Sequence, residues 1–365
     1  MTTERRAAQS VLRLEQAKDF MDQGRPGDAL PLLRRPVPEM FAPERDFLLA
    51  EALRAQGFLS QAVETYRRLL RRPAKKDPAA WLDACLGNVA CLRSLGETKA
   101  ARRMLSLGRK VAASLRNQAI QERLDLEDAL IERAMGLYPK SLAKFKSQLI
   151  RFLREEDLAA AGYVLWAIGG ALRFSGDFSG SQRAFAQSLA LCRRCNDPAG
   201  RAYALFGLGG VTRVQGRLAE AQRHYAAALK AVSGTQDIFG QAYAHCGLAN
   251  VLRQRGELSA AKKHYIQAHR LYSLIEDPVD LAYVDWGLGR IHLRRGELAP
   301  AQKRFELALT AFARGGETRG VVLCETSLAG LLHSKGLTFA AERLFARALA
   351  RARRAGIHTH LELFT

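Results

Sequence analysis

Apolar residues recur at three- and four-residue spacings along nearly the whole chain, in runs broken by short polar segments. That spacing keeps one face of an α-helix apolar and predicts an all-α protein without a β-sheet. The runs come in pairs, and the pairs repeat. One glycine returns at Gly96, Gly136, Gly176, Gly216, Gly256, Gly296 and Gly336, each step being 40 residues. Gly57 and Gly24 extend the series at steps of 39 and 33, giving nine repeats.

Other registers keep the same step. Five residues after each glycine stands a small residue, from Ala29 and Ala62 through Ser141 and Ser181 to Ala301 and Ala341. Nine after stands a large apolar one: Leu33, Tyr66, Leu105, Phe145, Phe185, Tyr225, Tyr265, Phe305 and Phe345. The last four repeats add Ala228, Ala268, Ala308 and Ala348. A small residue lets two helices approach, and a ring four residues on lies on the same face. Before each turn, Leu208-Gly209, Leu248-Ala249, Leu288-Gly289 and Leu328-Ala329 occupy matching places. Asp77, Asn117, Asp157, Asp197, Asp237 and Asp277 mark where that earlier run begins, with Glu317 as the weak member. Asp and Asn side chains accept an orphan backbone N–H and so cap helix N-termini. Each unit is thus a helix A of about 18 residues, a turn at the glycine, a helix B of about 15, and a short loop.

This pattern, Leu-Gly/Ala before the turn and A-x-x-x-F/Y-x-x-A after it, resembles the tetratricopeptide repeat (TPR). The 40-residue step resembles its longer-helix variety, found in LGN/Pins, kinesin light chain and the bacterial Rap regulators. The resemblance covers residues 7 to 355 and implies a right-handed superhelix with helix A lining a concave wall. Asp caps replace the family's usual proline, and Asp125, His245, Asp285 and Glu325 stand where it has a large apolar residue. A helix pair cannot bury its own apolar face, so neighbours stack into one core. Residues 1–355 are expected to form a single solenoid, followed by a short tail, 356–365.

Composition sharpens the choice of partner. Lys plus Arg number 56 against 36 Asp plus Glu, a net charge of +20. Such a surface attracts acidic peptides, nucleic acid or anionic lipid. The longest uncharged stretch, Leu158 to Leu172, is too short to span a bilayer. The N-terminus has no apolar core of a secretory signal, so a cytoplasmic location is expected. Six cysteines without an export signal read as free thiols.

Three ladders fall on one face of helix A. Arg54, Arg93, Arg133, Arg173, Arg213 and Arg253 each stand three residues before a turn glycine. Tyr163, Tyr203, Tyr243 and Tyr283 stand thirteen before, and Trp166, Phe206, Cys246 and Trp286 ten before. Guanidinium forks suit carboxylates or phosphates, and aromatic and Arg anchors carry most binding energy at interfaces. Six before the glycine stand Gly170, Gly210, Asn250, Arg290 and Gly330; the glycines either admit a ligand backbone or pack helices closely. The family resemblance implies for Asn250 a hold on the main chain of a bound peptide. On helix B a second basic row, Arg183, Arg223, Lys263, Lys303 and Arg343, is expected on the convex face, either solvated or holding a polyanion. Asp125, Glu127, Asp128 and Glu132 read as internal partners for nearby arginines or as an acidic spot for a second partner.

Signals for catalysis are sparse. Cys192-Arg193-Arg194-Cys195 stands alone, and zinc needs four ligands. His358-Thr359-His360 has no evident partners, and no phosphate loop or nucleophile elbow is present. No cofactor and no metal are expected. The first functional expectation is a non-enzymatic adaptor that binds an acidic protein segment in the Arg/Tyr-lined groove. The alternative is nucleic-acid or polyanion binding on the convex face. A weaker alternative is a Rap-like peptide-responsive regulator, set back because residues 7–72 continue the repeat. At the C-terminus, Ile357, Leu361 and Phe364 either fold back on the last helix or join a second copy of the chain.

Overall fold

The computed structural model describes residues 3–115 and 117–357, with side chains from residue 7 onward. Among the described residues there is no strand, as the periodicity predicts. The helices are α1 (Thr3–Asp22), α2 (Pro26–Leu33), α3 (Ala42–Ala55), α4 (Leu59–Leu70), α5 (Pro78–Ser94), α6 (Thr98–Ala112), α7 (Gln118–Ala134), α8 (Tyr138–Arg154) and α9 (Leu158–Ser175). Then come α10 (Phe178–Arg194), α11 (Pro198–Val214), α12 (Leu218–Val232), α13 (Ile238–Gln254), α14 (Leu258–Leu274), α15 (Pro278–Arg294), α16 (Leu298–Arg314), α17 (Thr318–Ser334) and α18 (Thr338–Arg354). Odd-numbered helices are the A helices and even-numbered ones the B helices. The first two pairs are irregular: α2 has 8 residues with Pro31 inside it, and a 3₁₀ turn at Glu39–Phe41 precedes α3.

All nine repeat glycines have positive φ, from 68° at Gly24 to 92° at Gly176. Glycine populates that region without steric cost. The turn closes identically each time: Gly216 N–H donates to Arg213 O at 3.0 Å and Arg217 N–H to Thr212 O at 2.9 Å. The second bond is the six-residue closure that satisfies the helix's orphan carbonyls. The B-to-A connections use the same closure, Asp197 N–H donating to Cys192 O at 2.9 Å, but through left-handed Glu156, Asn196 and Glu276. Nothing in those residue types except asparagine announces a left-handed position. The predicted caps form at Asp77, Asn117, Asp157, Asp197 and Asp277, whose carboxyl or amide oxygens accept from the third residue on at 2.8–3.2 Å. Glu317 makes no such bond.

The described chain divides into two compact units, residues 1–148 with 234–238, and 149–233 with 239–365. In the first, the core runs from Leu14 through Leu33, Leu53, Tyr66, Leu82 and Leu105 to Ile131. Gln236 belongs to this unit; its side chain accepts from Gly27 N–H at 2.7 Å and donates to Asp28 at 3.0 Å. In the second unit, Tyr225 and Phe185 of the +9 register each lie between two A helices. A Cβ on Gly209 of α11 would fall 2.9 Å from the Tyr225 ring, and one on Gly247 of α13 would fall 2.2 Å from it. Phe185 is held the same way by Gly169 and Gly207, and Tyr265 meets Gly287. Phe345 of the last pair is 44% exposed. Leu361 and Phe364, expected to cover it or to meet a second copy, lie outside the described residues.

The polar residues that depart from the family pattern are each compensated. Eleven residues before the turn, Asp285 pairs with Arg304 of its own B helix. In the same geometry His245 Nδ1 meets His264 Nδ1 at 2.8 Å. Buried Glu325 takes Arg351 through both oxygens at 3.2 and 3.3 Å, with Arg347 at 3.3 Å. Asp125 pairs with Arg109 at 2.7 Å. Helix α9 is long and apolar enough to cross a membrane by length and composition alone, beyond the shorter uncharged stretch read from the sequence. Here it packs as an A helix against α10 and α11.

Two measurements check this packing. Gly247→Ala is expected to cost about 1–3 kcal/mol by overpacking against Tyr225, whereas exposed, helical Gly330, with open space around its Cβ position, should gain about 0.5–1 kcal/mol as alanine. Urea unfolding separates the two signs. Burial lowers the affinity of His245 and His264 for a proton, the charge of His264 adding to the effect at His245. Their contribution is full above the unfolded imidazole value near 6.5. It is lost as pH falls from there through the depressed folded values, because the unfolded chain then binds more protons. His245→Leu/His264→Leu is expected to flatten the loss of stability between pH 7 and pH 5.

Candidate functional site

In the first unit the acidic residues of α7 are internal partners. Glu127 accepts from Arg93 Nε at 3.1 Å, Asp128 from Lys144 at 2.7 Å, and Glu132 from Lys144 at 2.8 Å. Arg93, expected in the groove, is therefore committed to Glu127. Arg54 is paired with Glu51, which also accepts from Tyr66. Arg133 is half-buried. Arg54 and Arg93 thus neutralise carboxylates of their own unit.

In the second unit, as in the first, A helices touch across the repeat, α9 with α11 and α15 with α17. The two aromatic ladders interleave into one chain of rings. Tyr163 stacks on Trp166 at 5.7 Å, Trp166 meets Tyr203 at 6.2 Å, Tyr203 meets Phe206 at 5.5 Å, and Phe206 meets Tyr243 at 5.1 Å. Phe239 continues it to Tyr272. The tyrosines are the wet members: Tyr163 is 41% exposed and Tyr203, Tyr243 and Tyr283 are half-buried. Phe206 and Trp286 are buried between helices.

Arg173 and Arg213, seven residues after Trp166 and Phe206 on the same helix face, are half-buried. The Nε of each is shut off from water and has no hydrogen-bond partner among the described residues. Arg173 lies in the space left by the missing side chain of Gly210, where a Cβ would fall 2.4 Å from its Nη1. Gly210 thus admits a guanidinium of the preceding repeat. Arg173 also lies over the Phe174 ring at 4.7 Å, and Arg319 of α17 lies over the same ring at 5.3 Å. Burial and the charges of Arg173 and Arg213 pull Arg319 below the ordinary guanidinium value, against Tyr283 and Glu317. Arg319 escaped the sequence analysis because it sits near the start of its helix, outside the −3 register, and meets Phe174 only through the tertiary fold.

Arg253 departs from the ladder. It is 1% exposed, donates from Nε to Tyr265 Oη at 3.2 Å, and reaches Asn250 Oδ1 at 3.4 Å. Asn250 Oδ1 also accepts from Tyr265 Oη at 2.8 Å, and its amide donates toward Cys246 Sγ at 3.6 Å. The oxygen of Asn250 is spent on this internal triad. Trp286 lies under Arg253 at 5.2 Å and donates its indole N–H to Ser327 at 2.9 Å. Opposite in sign is Asp280, whose carboxyl is held well above the usual carboxylate range by burial and by the charges of Asp277 and Glu317. Glu317 accepts from Tyr283 Oη at 3.1 Å. Burial pushes the Cys246 thiol up to about 12.

On the B helices, Arg183, Arg223, Lys263, Lys303 and Arg343 are all exposed, and none makes an ion pair among the described residues. All six cysteines are free; Cys85, Cys91, Cys192 and Cys324 are buried. Among the described residues no group of three metal-ligating side chains converges. His358-Thr359-His360 lies outside them.

Residues 142–277 match the family model of the MalT-like TPR region. The fold matches that of a Rap protein solved in complex with competence and sporulation factor, at 10% identity and a TM-score of 0.70, covering 96% of this chain and 99% of that one. It also matches the apo form of RapI (12% identity, TM-score 0.55, 95% and 98% covered) and aspartyl phosphate phosphatase F from Bacillus subtilis (8%, 0.59, 96% and 94%). No curated protein sequence matches the chain. Residues 142–277 are thus a TPR-type repeat region, and the chain has the fold shared by the Rap proteins. That likeness includes the N-terminal pairs, which the sequence analysis used to set the chain apart from Rap regulators.

Tyr265→Phe removes the acceptor of a buried guanidinium and is expected to cost about 1–3 kcal/mol. Urea unfolding of that variant, with Tyr225→Phe as the comparison, checks it.

Proposed function

We propose that the second unit is a non-enzymatic protein-interaction module that holds an Asp/Glu-rich segment along its A helices. The observation that carries this reading is the pair Arg173 and Arg213, whose Nε donors are dry and unpartnered among the described residues, on the same helix face as the tyrosines of their own A helices. A buried donor without an acceptor costs free energy that an incoming carboxylate would recover. Arg319 supplies a third guanidinium, and Tyr203 and Tyr243 give stiff apolar contact. Arg253 acts from behind, as a fixed charge. Arg93 and Arg133 belong to the first unit and are left out of this site, as is Asn250, whose oxygen is already engaged. The neighbours' fold and the Rap protein's bound factor support a peptide-responsive regulator as the form this module takes.

The exposed B-helix row favours a second reading, polyanion binding by Arg183, Arg223, Lys263, Lys303 and Arg343. Fluorescence anisotropy of a labelled Glu/Asp-rich peptide separates the two. Arg173→Glu/Arg213→Glu is expected to weaken binding about tenfold or more, equivalent to about 1.4 kcal/mol, with unchanged helicity. Arg183→Glu/Arg223→Glu should bind as wild type. The opposite ranking would move the site to the B helices, with a steep salt dependence of nucleic-acid binding.

A further inference from the structure

The −3 arginines and the −6 residues face each other across adjacent repeats. Arg173 occupies the place where Gly210, 37 residues on, lacks a side chain. The same step places Arg253 against residue 290, which is arginine where the other members of the register are Gly170, Gly210, Asn250 and Gly330. Two guanidiniums therefore share one Trp286 ring, Arg253 at 5.2 Å and Arg290 at 5.7 Å from its centroid. A third, Arg294, is drawn in by donating from Nη1 to the Arg253 carbonyl at 3.0 Å. Among the described residues no carboxylate pairs with Arg290 or Arg294. Burial and the charges of Arg253 and Arg294 pull Arg290 down to about 10, so it stays charged at neutral pH in a repulsive setting.

Arg253 is locked by Tyr265 and Asn250 and cannot turn away. Arg290 is half-buried and Arg294 exposed, so both can be reached from solvent. We infer that Arg290 and Arg294, backed by Arg253 and seated on Trp286, form a site for a phosphoryl dianion. Three positive charges call for more than the single charge of a carboxylate, and guanidinium forks match phosphate oxygens two at a time. The dianion comes from a phosphorylated residue of the bound segment or from free phosphate. The site lies on the same A-helix wall as the proposed groove but does not use Arg173, Arg213 or Arg319, so the two readings can fail separately.

Thermal unfolding of the full chain, in inorganic phosphate against chloride at equal ionic strength and pH, tests the site. Phosphate is expected to raise Tm by about 2–4 °C in wild type and in Arg173→Glu/Arg213→Glu. Arg290→Met should lose that response and, in chloride alone, melt no lower than wild type, because a repelled charge has been removed. A purely structural arginine would melt lower on removal. Arg290→Lys should keep a reduced response. A Glu/Asp-rich peptide with one phosphoserine, binding wild type about tenfold tighter than its serine counterpart but Arg290→Met equally, assigns the dianion to the segment. A phosphate response without that discrimination assigns it to the free ion. Equal melting in phosphate and chloride, or an Arg290→Met response like that of wild type, would overturn the site.

Discussion

The aromatic ring nine residues after each turn glycine is the contact on which the second unit depends. Phe185 is clasped by Gly169 of its own A helix and Gly207 of the next, Tyr225 likewise by Gly209 and Gly247, while Tyr265 and Phe305 each meet one glycine, Gly287 and Gly289. At those glycines a Cβ would collide with the ring, so the missing side chains let the helices close on it. One contact thus fixes the spacing within a pair and between pairs. Because a solenoid's stability is close to a sum of such neighbour terms, the A-helix wall inherits a regular 40-residue pitch from this ring.

Regular pitch converts a sequence register into a spatial row. Tyr163, Trp166, Tyr203, Phe206 and Tyr243 become one continuous strip of rings. The arginines of the −3 register become a row that leans onto the −6 residues of the next repeat. The row is not uniform. Where the neighbour is Gly210, a guanidinium has room; where it is Arg290, two positive charges are forced together. Binding chemistry arises from departures within an otherwise uniform repeat.

Polar substitutions in the core obey the same geometry. Asp285 with Arg304 and His245 with His264 exchange an apolar pair for a hydrogen-bonded one at the same two places in the repeat. Such exchanges are tolerated because both partners change together, leaving no buried group unsatisfied. The acidic residues of α7 show the reverse use of charge. There the −3 arginine of the preceding pair meets Glu127 and is neutralised, whereas Arg173 and Arg213 of the second unit are dry and unpartnered at Nε among the described residues.

The sequence by itself determined the helix pairs, their turns and their caps. These rest on local chemistry: glycine's access to positive φ, the reach of an aspartate to an N–H three residues on, and the apolar stripe of an amphipathic helix. It also placed Arg173, Arg213 and the tyrosines on one face, since a fixed repeat makes register equivalent to position. The tertiary structure alone decided which of those residues remain available. Arg93 and Arg253 share the register of Arg173, yet one is bound to Glu127, 34 residues away, and the other to Tyr265 and Asn250, 12 and 3 residues away. Arg319 joins Arg173 at Phe174 although 146 residues separate them. Periodicity specifies which side of a helix a side chain leaves from, but its charge partner depends on the individual residues that neighbouring helices bring within reach.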